Sequence, residues 1–242
     1  MNDWMPWKVA KKDFKVMKRK KSLIAYTVML PFLLAFAFTL VVQNDVANAN
    51  IADASLGLAA LTFVFVILAA VLPTAVASYS IVGEKMEKSL EPLLATPTTD
   101  GELLLGKAIA AFVPAVISIW AGALIFMAAT DYWTFDVFSG YYFPSWVPGI
   151  MLFLLAPLAA MLGVQVAVIL SSRVSDVRGA NQFAGLMYLP FLALFISGVQ
   201  GAFPFTIANL LLVSGVVMLL DIIMFFVSKA VFSREEILTK WK

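Results

Sequence analysis

The sequence predicts an all-α integral membrane protein: six transmembrane helices, an N-terminal amphipathic interfacial helix, and both termini cytoplasmic. Three observations lead there. Hydrophobic residues make up 62% of the 242 and charged residues 13%, against roughly 45–50% and 25% in soluble domains. Lipid can solvate that much apolar surface and water cannot. The apolar residues run in charge-free stretches at 22–44, 54–83, 108–130, 137–172 and 179–220, and a helix needs about 20 of them to cross the hydrocarbon core. Finally, every Lys and Arg falls in alternate connections.

The N-terminal segment 1–21 comes first and holds eight basic residues. Pro6 suits a first helical turn. Trp7, Ala10, Phe14 and Met17 recur at helical spacing, while Lys8, Lys11, Lys12, Lys15, Lys18 and Arg19 cover the rest. Such a helix lies in the headgroup layer, its basic side chains on anionic lipid. The plainer alternative is a basic flank that only sets orientation. The apolar run that starts near Ser22 is too long for a signal-peptide core.

A six-helix transmembrane domain, 22–242, follows. The first three stretches hold one span each. The fourth opens on an aromatic, Pro-containing segment, so its span begins near Trp146. The fifth is too long for one helix and is interrupted at Ser197–Pro204, where Gly198, Gly201 and Pro204 break helix geometry. The expected spans are 22–42, 56–80, 107–130, 147–170, 182–198 and 206–228. Segment 1–21, loops 81–107 and 171–181, and the tail from Lys229 together hold all 17 basic residues. The other three loops carry Asp45, Asp53, Asp131 and Asp136 and no cation. Basic loops face the cytoplasm, and five or seven spans break the pattern. No connection leaves room for a soluble domain.

Composition also limits the chemistry. Without cysteine there is no disulfide or thiolate metal site. Without histidine the commonest general base and metal ligand are missing. No metal site and no nucleic-acid partner are expected, and an intramembrane enzyme acting on lipid lacks the groups it needs.

The connection between spans two and three, loop 81–107, is the most informative segment. Glu84, Lys85, Glu87, Lys88 and Glu91 are interleaved with Leu90, Leu93 and Leu94 up to Pro97. Thr99 and Glu102 have capping-box spacing, so a second short helix is expected to start there and run into span three. Helix, turn and returning helix present an acidic and apolar knob to a soluble partner; a solvated connector is the bland alternative.

Here the residues resemble a known family. Glu84 through Pro97, then Glu102-Leu103-Leu104-Leu105-Gly106-Lys107, resembles the coupling-loop signature of the ABC type-2 transporter permeases. The family usually has Gly-Thr before the Leu-Glu; this chain has Lys88-Ser89. The stretch Ser171-Ser172-Arg173 through Ala180-Asn181-Gln182, with Pro190 and Ser197-Gly198, resembles the family from span four to the end of span five. Phe232-Ser233-Arg234-Glu235-Glu236-Ile237 resembles its C-terminal end. The resemblance implies the permease subunit of an ABC transporter, an exporter in a prokaryotic plasma membrane. It is not catalytic by itself. It implies two partners: a separate ATP-binding cassette subunit that holds ATP and magnesium, and a second permease copy or related chain. The coupling contacts it implies are Glu84, Glu87, Glu91, Thr96, Pro97 and Lys107, with a smaller contact through Arg173, Asp176 and Arg178. A membrane scaffold or sensor that anchors a cytoplasmic partner through loop 81–107 is the competing function.

The run Gly101–Ala108 nearly matches a phosphate-binding loop but fails, because Ala108 offers no hydroxyl to magnesium and no strand precedes it. This chain is therefore expected to bind no cofactor. Inside the membrane, Asp221 is the one ionisable group well within a span. It lies about 12 Å along the helix from Lys229, and is a candidate for the pore or a cationic substrate. The alternative is a structural carboxylate paired with Lys229, Arg234 or a neighbouring helix. Gln165 is a weaker pore candidate or a helix–helix contact. Gly122, Gly163, Gly185 and Gly215 are expected at close helix crossings, and Pro73, Pro114, Pro157 and Pro190 at kinks. The aromatic loop Asp131–Trp146 fits an interfacial belt.

Overall fold

A computed structural model describes residues 5–46, 50–83, 99–173 and 177–231. All regular structure among them is helical. The N-terminal helix is Met5–Arg19, and six helical segments are long and apolar enough to cross a membrane: Lys21–Asn44, Ile51–Ser78, Gly101–Phe138, Trp146–Ser171, Gln182–Val199 and Ile207–Lys229. The expected spans all fall on these, with changed ends. Span two begins earlier, because Asn50 caps it: its side chain accepts from the Asp53 N–H at 2.9 Å. Span three belongs to a 39-residue helix, Asp100–Phe138, about 58 Å long, so it passes beyond a 30 Å hydrocarbon core. The short helix expected to start at Thr99 and run into span three forms the first turns of this helix. Its capping box is formed, with Glu102 Oε2 accepting from the Thr99 N–H at 2.8 Å.

Span five is interrupted once, and a second break separates it from span six. Helix Val177–Gly185 stops before Leu186 and resumes as Tyr188–Val199. Pro190 has no N–H for the Leu186 carbonyl, and the chain tightens to three-residue bonds there, such as Leu189 N–H to Leu186 O at 3.0 Å. The second break overlaps the expected stretch Ser197–Pro204 and starts three residues into it. The helix continues through Gly198, and the chain turns at Gly201, whose φ is +76°. Gly198 is needed for a different reason: a Cβ there would fall on the ring of Phe205. That ring stacks on Phe63 of span two, with centroids 5.3 Å apart. Helical structure runs through Pro73 and Pro114.

Spans two, three and four form the centre, each at least half buried, whereas only 17% of spans one and five is buried. Phe38, Phe65 and Phe126 join spans one, two and three in an aromatic core, with ring centroids 5.8–6.0 Å apart. Two of the four expected glycines lie at tight crossings. A Cβ on Gly122 would meet the Pro31 carbonyl at 2.8 Å, and one on Gly163 would overlap the Ala70 carbonyl. Gly185 and Gly215 do not: a Cβ on either meets nothing within 4 Å. Spacing along one helix cannot say which face a neighbour covers.

A π turn at Met151–Leu155 shows how sequence and packing combine. Ala156 donates five residues back to Met151, and in that register the Leu152 carbonyl needs a donor from residue 157, which is proline. Trp120 of span three supplies it instead, Nε1 to Leu152 O at 2.8 Å. Replacing Trp120 with Phe leaves that carbonyl without its donor. A loss of about 1–3 kcal/mol is expected, read as a lowered unfolding midpoint in detergent.

Candidate functional site

Secondary structure brings the end of span two, the start of span three and the ends of spans four and six to one end of the bundle. The N-terminal helix and Lys107 lie there. The opposite end gathers Asp53, Asp131 and the aromatic loop, where Asp131 Oδ1 accepts from the Tyr142 and Phe143 N–H groups at 3.0 Å each. Tyr132, Trp133, Phe135, Tyr141 and Trp146 of that loop are exposed.

At the basic end lies a buried polar knot. Lys107 is only 1% exposed. Its Nζ donates to the Ser80 carbonyl at 2.8 Å and the Ser80 hydroxyl at 3.0 Å, and stands 3.5 Å from Asp13 Oδ2. Ser80 Oγ in turn donates to Asp13 Oδ2 at 2.6 Å. Three elements are tied by one ammonium: the N-terminal helix through Asp13, the π turn Tyr79–Gly83 closing span two through Ser80, and span three. A cation at the carbonyl end of a helix is favourable in itself, and the carboxylate pairs the charge that burial would otherwise penalise.

Apolar packing surrounds the knot. Val9 and Met17 of the N-terminal helix join Val76, Leu103, Leu104 and Val168. Gly106 permits the approach, since a Cβ there would come within 2.6 Å of Val9 Cβ and 2.7 Å of the Pro6 carbonyl. At about 100° per residue the N-terminal helix has three faces. Pro6, Val9, Ala10, Asp13 and Met17 point to the bundle. Trp7, 51% exposed, stands edge-to-face with Phe14 beside them. Lys8, Lys11, Lys12, Lys15 and Lys18 are exposed on the far side. The expected apolar face is thus divided, with Ala10 and Met17 toward protein and Trp7 with Phe14 outward.

Of the expected coupling residues, the structure brings Lys107 into this knot. Glu84, Glu87, Glu91, Thr96, Pro97 and Asp176 lie outside the described residues, as do the side chains of Arg173 and Arg178 and the segment 232–237. Arg173 ends one helix and Arg178 lies in the first turn of the next. Gly101–Ala108, the rejected phosphate loop, is helical throughout. The sequence offers one signal for Asp13, the lone acid in a strongly basic helix. For Ser80 it offers none.

The pore candidates lie on spans four and six. Leu104 and Ala108 of span three, Gln165 of span four, and Phe225 and Ser228 of span six line a cavity of about 20 Å³, room for one water. Gln165 Oε1 and Ser228 Oγ are buried there without hydrogen-bond partners among the described residues. Asp221 lies on the same face of span six as Phe225 and Ser228, one and two turns further in. It is 8% exposed, and neither carboxylate oxygen has a partner among the described residues. The alternative pairing of Asp221 with Lys229 does not form among the described residues; the Lys229 side chain is exposed.

A family model described as ABC-2 family transporter protein matches residues 7–208. No curated protein matches the chain.

Proposed function

The chain belongs to the ABC-2 transporter family, and from that premise we propose that it is the permease half of an ATP-driven exporter. A separate ATP-binding subunit holds ATP and magnesium and docks on the basic, cytoplasmic end of the bundle through segment 84–98. A second permease copy completes the pore, and the apolar outer faces of spans one, five and six offer it surface. Asp221 and Gln165 are the buried polar groups within the bundle that a moving substrate would meet.

The observation that carries this reading is the Asp13–Ser80–Lys107 knot. In the chain, Ser80 stands four residues before segment 84–98 and Lys107 nine residues after it. A displacement of the segment therefore reaches spans two and three and the N-terminal helix together, because a packed, hydrogen-bonded junction moves as one body.

Purification of the tagged chain from its native membranes in mild detergent tests this. An ATP-binding subunit is expected to co-purify and to hydrolyse ATP in nanodiscs. Glu84→Ala with Glu87→Ala is expected to lower its recovery several-fold. Undiminished recovery and ATP turnover in the double variant would sink the docking assignment.

A further inference from the structure

The N-terminal helix crosses the end of the bundle instead of continuing span one. Its contacts run from Gly106 at Pro6 and Val9, through Lys107 and Ser80 at Asp13, to Tyr79 at Lys20, whose Nζ lies 5.2 Å from the ring centroid. Those partners are within a turn or so of one another along spans two and three, so they stand at nearly one height. A helix touching them in sequence lies across the spans, in the plane a membrane surface would occupy.

Its outer faces suit that surface. Trp7 and Phe14 form an aromatic strip beside the protein-facing side, and an aromatic pair of this kind sits at headgroup depth. Beyond the strip Lys11, Lys15 and Lys18 form an exposed row at spacings of four and three residues, which places them on one side of the helix. No acidic side chain interrupts this row, since the helix's one carboxylate, Asp13, is turned inward to Ser80 and Lys107. The one anionic group of the helix is thus withdrawn into the protein while the cations stand outside.

We propose that the Lys11–Lys15–Lys18 face docks on the anionic headgroups of the membrane, and that Asp13 relays this docking to the base of segment 84–98. The partner is the lipid surface itself. Each lysine near such a surface adds attraction of a similar size. A helix held flat keeps Asp13 seated against Ser80 and Lys107. A helix that lifts withdraws Asp13 and loosens the point where the chain leaves span two and enters span three. Anionic lipid thereby sets how firmly the loop base is held. The relay is a property of this chain alone and does not depend on an ATP-binding subunit.

Hydrogen exchange on the purified full chain tests it, in nanodiscs of phosphatidylcholine and in discs with about one-third phosphatidylglycerol. Amides of residues 5–19 are expected to exchange on the order of tenfold more slowly in the anionic discs. Residues 99–107 are expected to follow in the same direction. The combined variant Lys11→Gln, Lys15→Gln, Lys18→Gln is expected to abolish both differences. Asp13→Asn is expected to keep the protection of 5–19 and lose that of 99–107. Unchanged exchange at 110–125 serves as the folding control. If a variant fails that control, salt replaces it: near 1 M the screening length falls to about 3 Å, and the lipid difference of the unaltered chain is expected to vanish. Equal exchange in the two lipids overturns the proposal, as does protection that appears only when an acidic protein co-purifies. A lipid effect at 5–19 that never reaches 99–107 overturns the relay.

Discussion

Replacing Lys107 with Met is expected to detach the N-terminal helix from the bundle. The two side chains have similar length, so the change removes charge and donors more than volume. Among the described residues, Asp13 then keeps a buried carboxylate with only the Ser80 hydroxyl to bond it, and the Ser80 carbonyl loses the ammonium now at 2.8 Å. Removing one partner of a buried pair costs about 3–5 kcal/mol, largely because the other charge is left uncompensated. The unfolding midpoint in detergent should fall, and exchange over residues 5–19 should rise toward that of an undocked helix. Asp13→Asn should cost less, since Lys107 retains both bonds to Ser80. Combining the two changes should cost less than their sum by at least about 1 kcal/mol, the signature of direct coupling. Strict additivity would mean that the 3.5 Å approach of the charges contributes nothing.

Gly163→Leu is expected to break the seam between spans two and four. A Cβ there would overlap the Ala70 carbonyl and press on Thr74 Cγ2 at 3.3 Å. A backbone carbonyl inside a buried helix cannot swing aside, so the helices must separate. Overpacking of this kind costs about 1–3 kcal/mol for small insertions, and a four-carbon side chain should exceed that and prevent recovery of a monodisperse protein. Gly215→Leu is the matched control, because open space surrounds that position. It should express and unfold like the parent to within about 1 kcal/mol. Equal tolerance at both positions would contradict the packing of spans two and four.

Much of the fold was legible in the chain because lipid makes the rule local. Twenty apolar residues without a charge must become a spanning helix, whatever surrounds them, and so six spans could be counted. The Thr99–Glu102 capping box is likewise a contact within one turn. What stayed hidden needs partners far apart in sequence. Ser80 meets Asp13 across 67 residues and Lys107 across 27. Leu152 finds Trp120 across 32. Four glycines looked alike along their helices, and only two face a neighbour. Gln165 and Ser228, unremarked or weak by themselves, share one cavity because spans four and six pack side by side.

The sequence by itself therefore determined the solvent, the number of spans, and the gathering of every cation at alternate connections, since each follows from the transfer of short segments between water and hydrocarbon. Tertiary structure alone decided how the basic end is built. It turned Asp13 inward, set Lys107 beneath it on Ser80, and so joined the N-terminal helix to the end of span two and to span three. The physical reason is that a buried charge must find its counter-charge in space, and that choice is made only when the helices pack.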